Sequence, residues 1–259
     1  MRRETSVLLC VLLWSSFAGA QFVAPGGIIP VVANLPGANE TFWRSDVSIL
    51  NVGAGSTGVV LQLFPEIVDG VPAFEPMTSD ELQIEANGQL TLTNIVQSQF
   101  QLVNVKGALS VYSTDAEPLV IASRTFTDGE SGGTFGQDVT SVLVKAQAWA
   151  AGLRHDGFYR TNLGIFWPWD LGEGEVVTFT VTVFDADGIE AGSGTVSFEQ
   201  AGLQQVSLST FGVDLLTDGY VTVTCSDYQS PWYAYASRVD QITGDAVFRV
   251  ARGYMVEGQ

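Results

Sequence analysis

Few residues of this chain have the types and spacing that catalysis needs. Its single histidine, His155, sits in Gly152-Leu153-Arg154-His155-Asp156-Gly157. A Ser-His-Asp relay needs that ring held between a nucleophile and an acid, and no G-x-S-x-G elbow supplies the serine. His155 reads as a solvated loop residue. Apart from Cys10 near the N-terminus, the one cysteine is Cys225. One His and one Cys cannot close an N/S zinc site. Cys225 stands in an alternating run and reads as a small buried residue rather than a reactive thiol. Asp185-Ala186-Asp187-Gly188 has the beginning of a calcium loop, but the later ligands and the distal Glu of an EF-hand are missing. A hairpin turn explains the same residues without metal. The 28 acidic residues include no two that stand out as a glycosidase pair. The expectation is a protein that is not an enzyme and needs no cofactor, with Asp185 and Asp187 as the one weak calcium candidate.

Binding chemistry is better represented. Phe166-Trp167-Pro168-Trp169-Asp170 and Asp227-Tyr228-Gln229-Ser230-Pro231-Trp232-Tyr233 are two aromatic segments stiffened by proline. Aromatic faces beside polar groups suit sugar rings or a protein partner. Trp167, Trp169, Tyr228, Trp232 and Tyr233 are therefore candidate contact residues, with at least one indole exposed and both loops at one end of the fold. The other reading is that these rings pack on neighbouring structure or close the end of a core. Arg44, Arg124, Arg160 and Arg238 form a second group. They fall at matching places in the repeat described next, which favours a structural role over a duplicated anion site.

The elements that must position these residues come twice. Phe42-Trp43-Arg44-Ser45-Asp46-Val47 returns as Phe158-Tyr159-Arg160-Thr161-Asn162-Leu163. Gly107-Ala108-Leu109-Ser110-Val111 returns as Gly219-Tyr220-Val221-Thr222-Val223, and Ala122-Ser123-Arg124 as Ala236-Ser237-Arg238. The repeat length suits one globular unit per copy. Within each copy the period is two. Val176 to Phe184 reads V-V-T-F-T-V-T-V-F, and Asn87-Gly88 and Asp187-Gly188 supply reversals. The sequence predicts an all-β protein of two tandem homologous antiparallel β-sandwich domains, 21–138 and 139–259, behind a signal peptide at 1–20. Helix has little support after residue 20. The first strand of the second copy is expected near Val142–Ala148.

The leader reading rests on Arg2-Arg3, the apolar stretch Val7–Phe17 and the Ala18-Gly19-Ala20 cleavage site. Its removal leaves 9 basic and 27 acidic residues, a formal net charge of −18. Such a chain repels phosphate backbones and anionic lipid, which argues against nucleic acid and membrane partners. With 46% apolar residues, each copy can build a core without disulfides.

The blocks F-[WY]-R-[ST]-[DN]-[VL], D-x-D-G, A-S-R and Gly133-Thr134-Phe135-Gly136-Gln137 resemble those of secreted bacterial proteins built from tandem β-sandwich repeats. The last block is not repeated at Gly244-Asp245-Ala246-Val247-Phe248. The resemblance implies secretion and this fold, and carries no activity or site. Two functions follow as expectations. One is a non-catalytic structural or interaction protein of the cell surface or extracellular matrix, meeting a protein partner or itself. The other is a pair of carbohydrate-binding modules that take an extracellular glycan on the aromatic loops.

Overall fold

The computed structural model describes residues 24–37, 40–129, 132–140, 142–227 and 230–253. The leader segment and Tyr228 lie outside these residues. The alternating runs become strands. The first half has β1 (Gly26–Pro36), β2 (Phe42–Asn51), β3 (Thr57–Pro65), β4 (Ile67–Val68), β5 (Val71–Pro72), β6 (Met77–Thr78) and β7 (Leu82–Ile84). It continues with β8 (Gln89–Leu92), helix α1 (Ile95–Phe100), β9 (Val105–Ser113), β10 (Leu119–Asp128) and β11 (Thr134–Asp138). The second half has β12 (Gln147–His155), β13 (Tyr159–Trp167), β14 (Val177–Asp185), β15 (Glu190–Phe198) and β16 (Gly202–Ser207). A 3-10 turn at Leu208–Phe211 follows, then β17 (Leu216–Cys225), β18 (Tyr233–Asp240), β19 (Ala246–Val250) and β20 (Arg252–Gly253). Among the described residues no helix is long and apolar enough to cross a membrane.

The fold is all-β, with antiparallel sheets stacked as sandwiches. The pairing order is the same in both halves. In the first, β3 pairs β9 and the short β6 and β7, β9 pairs β1, β2 pairs β8 and β10, and β10 pairs β11. In the second, β14 pairs β15 and β17, β17 pairs β12, β13 pairs β16 and β18, and β18 pairs β19. One difference is topological. The second half keeps two sheets, whereas β1 runs on into β2 in the first, pairing Asn34 with Arg44 and joining the strands into one sheet.

Three expectations need correction. The segment after β8 contains α1, which buries Ile95, Val96 and Phe100. Six residues are too few to carry a helical period that sequence reading can detect. The first strand of the second half is Gln147–His155, later than expected, because Leu153 rather than a residue near 148 faces Gly219. The third concerns the arginines. Arg44 faces Phe126 and Arg160 faces Val239. Measured from those pairs, Arg124 corresponds to Ser237 and Thr125 to Arg238. A one-residue slip turns a side chain to the other face of a sheet. Arg124 is exposed, while Arg238 turns toward its own sandwich and donates to the Gly152 carbonyl at 3.3 Å. Arg44 and Arg160 do correspond; Arg124 and Arg238 do not.

The sheet β16-β13-β18-β19 is covered on both faces. Leu163, Ile165, Trp167, Ala234 and Ala236 enter the core of the second half. Phe166, Leu203 and Tyr235 point the other way, into the core of the first. Phe166 meets Phe64 at 5.1 Å and Tyr233 at 6.0 Å. Ile67 returns the exchange by entering the second core. In the first half the corresponding face of β2 carries Arg44, Asp46, Ser48 and Leu50, all partly exposed. Ser48 becomes Gly164 for a steric reason: a Cβ there would lie 2.2 Å from the Tyr235 ring.

Because the two cores share residues, the halves should unfold together. Phe166→Ala should cost about 3–5 kcal/mol, and Gly164→Ser about 1–3 kcal/mol through overpacking. Calorimetry should show one transition in the parent and two in Phe166→Ala. Two transitions in the parent would mean that the interface does not couple the halves.

Candidate functional site

The aromatic segments are mostly interior. Trp167 is 1% exposed and Trp232 0%. Both pack edge-on against Phe179, at 6.2 and 5.0 Å. They are core residues, which corrects the expectation that they contact a ligand. Trp167 stands where the first half has Asn51. That residue closes its end of the sandwich by donating to the Gly55, Ile84 and Glu85 carbonyls and accepting from the Gly53 N–H. An indole replaces a polar plug. Tyr233 is half-buried against Phe166. Trp169 alone of the candidate indoles is exposed, at 44%, and its Nε1 donates to the Pro231 carbonyl at 2.7 Å. That bond brings the two loops to one end, as expected, but engages the one available indole.

The other candidates resolve one by one. Asp185 Oδ1 accepts the N–H groups of Asp187 and Ile189 at 3.0 and 2.8 Å, the duty of a turn residue. Among the described residues no three His, Cys, Asp or Glu side chains gather as metal ligands. His155 is not in a free loop. It ends β12, and its Nδ1 accepts the Thr161 N–H at 3.2 Å. Cys225 is buried opposite Phe179. Arg44 Nη2 lies 2.5 Å from Asp128 Oδ1 and its guanidinium sits 4.7 Å from the Phe126 ring centre. Asp128 is largely exposed, so the ion pair contributes only about 0–1 kcal/mol. Arg124 covers the same ring at 4.9 Å and donates to Thr134 Oγ1. Arg238 lies 5.5 Å from the Tyr159 ring centre.

Arg160 is the exception. Among the described residues its side chain has no hydrogen-bond acceptor and no carboxylate within ion-pair distance. It lines a cleft of about 250 Å³ between the halves, with Trp43, Lys106, Gln137, Asn162, Gln205 and Tyr235. Trp43 comes from the first F-x-R motif and Arg160 from the second, so the repeat meets itself here. Lys106 Nζ is held by Glu66 at 2.9 Å. Tyr235 donates to Gln205 Oε1 at 2.9 Å. Burial and the nearby Glu66 charge push the Tyr235 hydroxyl well above the ordinary phenol range, so it remains a donor. Gln137 Oε1 is buried without a donor.

Sequence reading favoured a structural role for Arg160 over an anion site and did not assemble the cleft. Trp43 and Asn162 lay inside the repeated motif and Gln137 inside the G-T-F-G-Q block, so the residues were visible but their convergence was not. A signal did exist in the differences between copies. Asp46 becomes Asn162. Counted from the Arg44–Phe126 and Arg160–Val239 pairs, Asp128 becomes Gln241. Both acids beside Arg44 are amides beside Arg160. Asp240 is the carboxylate that shares a small neighbouring cavity with Arg160, and its Oδ1 caps a turn by accepting from Ile242 and Thr243.

No protein-family model matches the sequence, and no curated protein matches it significantly.

Two outcomes follow. Trp167→Ala and Trp232→Ala should each cost about 3–5 kcal/mol, whereas Trp169→Ala should stay within about 0.5 kcal/mol; thermal melts compare them. Burial pushes the Cys225 thiol up from 9.0 to about 11. The folded state therefore holds its proton where the unfolded chain has lost it. This contribution is intact below pH 9 and is lost as pH rises toward 11. Urea melts of the parent and Cys225→Ser should lose stability differently across that window. The thiol should resist a disulfide reagent at pH 8 until the protein unfolds.

Proposed function

We propose that the chain is a secreted, non-catalytic interaction protein of the cell surface or extracellular matrix. Its recognition element in this reading is the cleft between the halves. The observation that carries the proposal is an Arg160 guanidinium that lines that cleft with no acceptor among the described residues. A hydrogen bond to a charged group is worth about 1.5–3 kcal/mol, which a bound acceptor would gain at Arg160. Secretion is supported by the charge pattern and A-x-A site at the N-terminus, and the acidic composition suits a soluble extracellular setting. The aromatic-loop carbohydrate reading keeps only Trp169, whose N–H is already engaged.

A glycan array run beside size-exclusion chromatography with light scattering tests this on the chain from Gln21. Binding should be lost in Trp43→Ala and in Arg160→Ala, both of which should melt near the parent temperature, and kept in Trp169→Ala. A signal that follows Trp169 would return the site to the aromatic loops. Self-association with a silent array would make the protein an assembly component and remove the cleft from its function.

A further inference from the structure

We infer that the inter-half cleft binds a saccharide ending in one carboxylate, a single uronic acid on an otherwise neutral chain, with Arg160 taking the carboxylate. The inference rests on the cleft being the recognition element. The argument begins with charge. The chain carries 11 basic and 28 acidic residues, and among the described residues Arg44, Lys106 and Arg154 have carboxylate partners. Of the four repeat arginines, Arg44 has Asp128, Arg124 has Thr134 and Arg238 has the Gly152 carbonyl, which leaves Arg160 alone of the four without an acceptor among the described residues. The second copy substitutes amides, Asn162 and Gln241, at the two acidic positions around its F-x-R arginine. Arg160 is thereby left with its planar fork available. Guanidinium and carboxylate match in a bidentate geometry that a point charge does not offer.

The remaining lining specifies the rest of the ligand. The Gln137 side chain lines the cleft as a polar residue. The Asn162 and Gln205 amides add further polar groups, as hydroxyl-rich ligands require. Trp43, Val31, Leu35 and Val239 give apolar surface for a ring face. At about 250 Å³ the cleft is smaller than the ~300–1,000 Å³ typical of drug-sized pockets. It therefore suits one terminal sugar rather than the middle of a polymer. Net charge sets the last limit. A protein at −17 repels a polyanion over the whole surface, whereas one carboxylate pays little of that long-range cost and gains the local contact. The ligand is a monoanion.

Isothermal titration tests this with three probes: an aldouronic acid carrying one glucuronate on xylotriose, neutral xylotriose, and tetragalacturonate. The parent should bind the aldouronic acid at least tenfold more tightly than xylotriose and more tightly than tetragalacturonate. Arg160→Ala should remove that preference by about tenfold or more, the worth of a charged hydrogen bond. Arg160→Lys should retain part of it. Thermal melts confirm that each variant is folded. Equal binding of the aldouronic acid and xylotriose, unchanged in Arg160→Ala, would overturn the carboxylate assignment and leave the cleft reading standing. Stronger binding of tetragalacturonate would overturn the monoanion argument. No binding of any probe by the parent would overturn the saccharide assignment; should an array signal then be indifferent to Trp43→Ala, the cleft reading falls too.

Discussion

The structure depends on one sheet having no free face. In an ordinary sandwich each sheet buries one side and wets the other, so its strands alternate apolar and polar residues. The β13–β18 sheet buries both. Its inner face holds Trp167 and the Ala234–Ala236 stripe. Its outer face sends Phe166, Leu203 and Tyr235 into the core of the first half. Burial of these rings is worth several kcal/mol in aggregate, and the two halves become one body rather than two units on a linker. The need for Gly at 164, the aromatic richness of the second copy and the cleft itself all follow from that packing.

A duplicated sandwich cannot remain symmetric once its copies pack face to sheet. The β2 face of the first copy stays partly exposed, so it keeps Arg44 beside acids and hydroxyls. The same face of β13 lies against the first copy, where an ion pair would have to be desolvated on both sides. Amides replace the acids there. Where the surfaces fit, Phe166 and Phe64 make contact; where the apolar rings end, Trp43 and Arg160 border a space that neither copy fills. The cleft is thus the place where the interface stops being complementary to itself.

Much of the fold was legible because strands announce themselves by period. The V-V-T-F-T-V-T-V-F run, the Asn87-Gly88 and Asp187-Gly188 reversals and the repeated F-x-R block gave nearly all the long strands within a few residues. Helix α1 was hidden by its length. The slip of Arg124 against Arg238 was hidden because sequence repeats align residues, whereas sheets align hydrogen-bonded pairs, and one residue of loop length separates the two. The candidate site was less legible. Aromatic enrichment points equally to a ligand face and to a core, and only burial separates them; for Trp167 and Trp232 the core was the answer.

The more useful sequence signal was substitution between the copies. A residue type that both copies keep belongs to what both must do, which is fold. Arg44 and Arg160 are kept, so identity alone reads as structure. Their surroundings are not kept: Asp46 gives way to Asn162 and Asp128 to Gln241. Desolvation is a reason to remove the acids from that face, but it is no reason to keep the cation there. A chain with 28 acidic residues had many routes to a replacement partner at that position. That the second copy retains the arginine in a polar cleft is the feature that the proposed recognition of a carboxylate would account for.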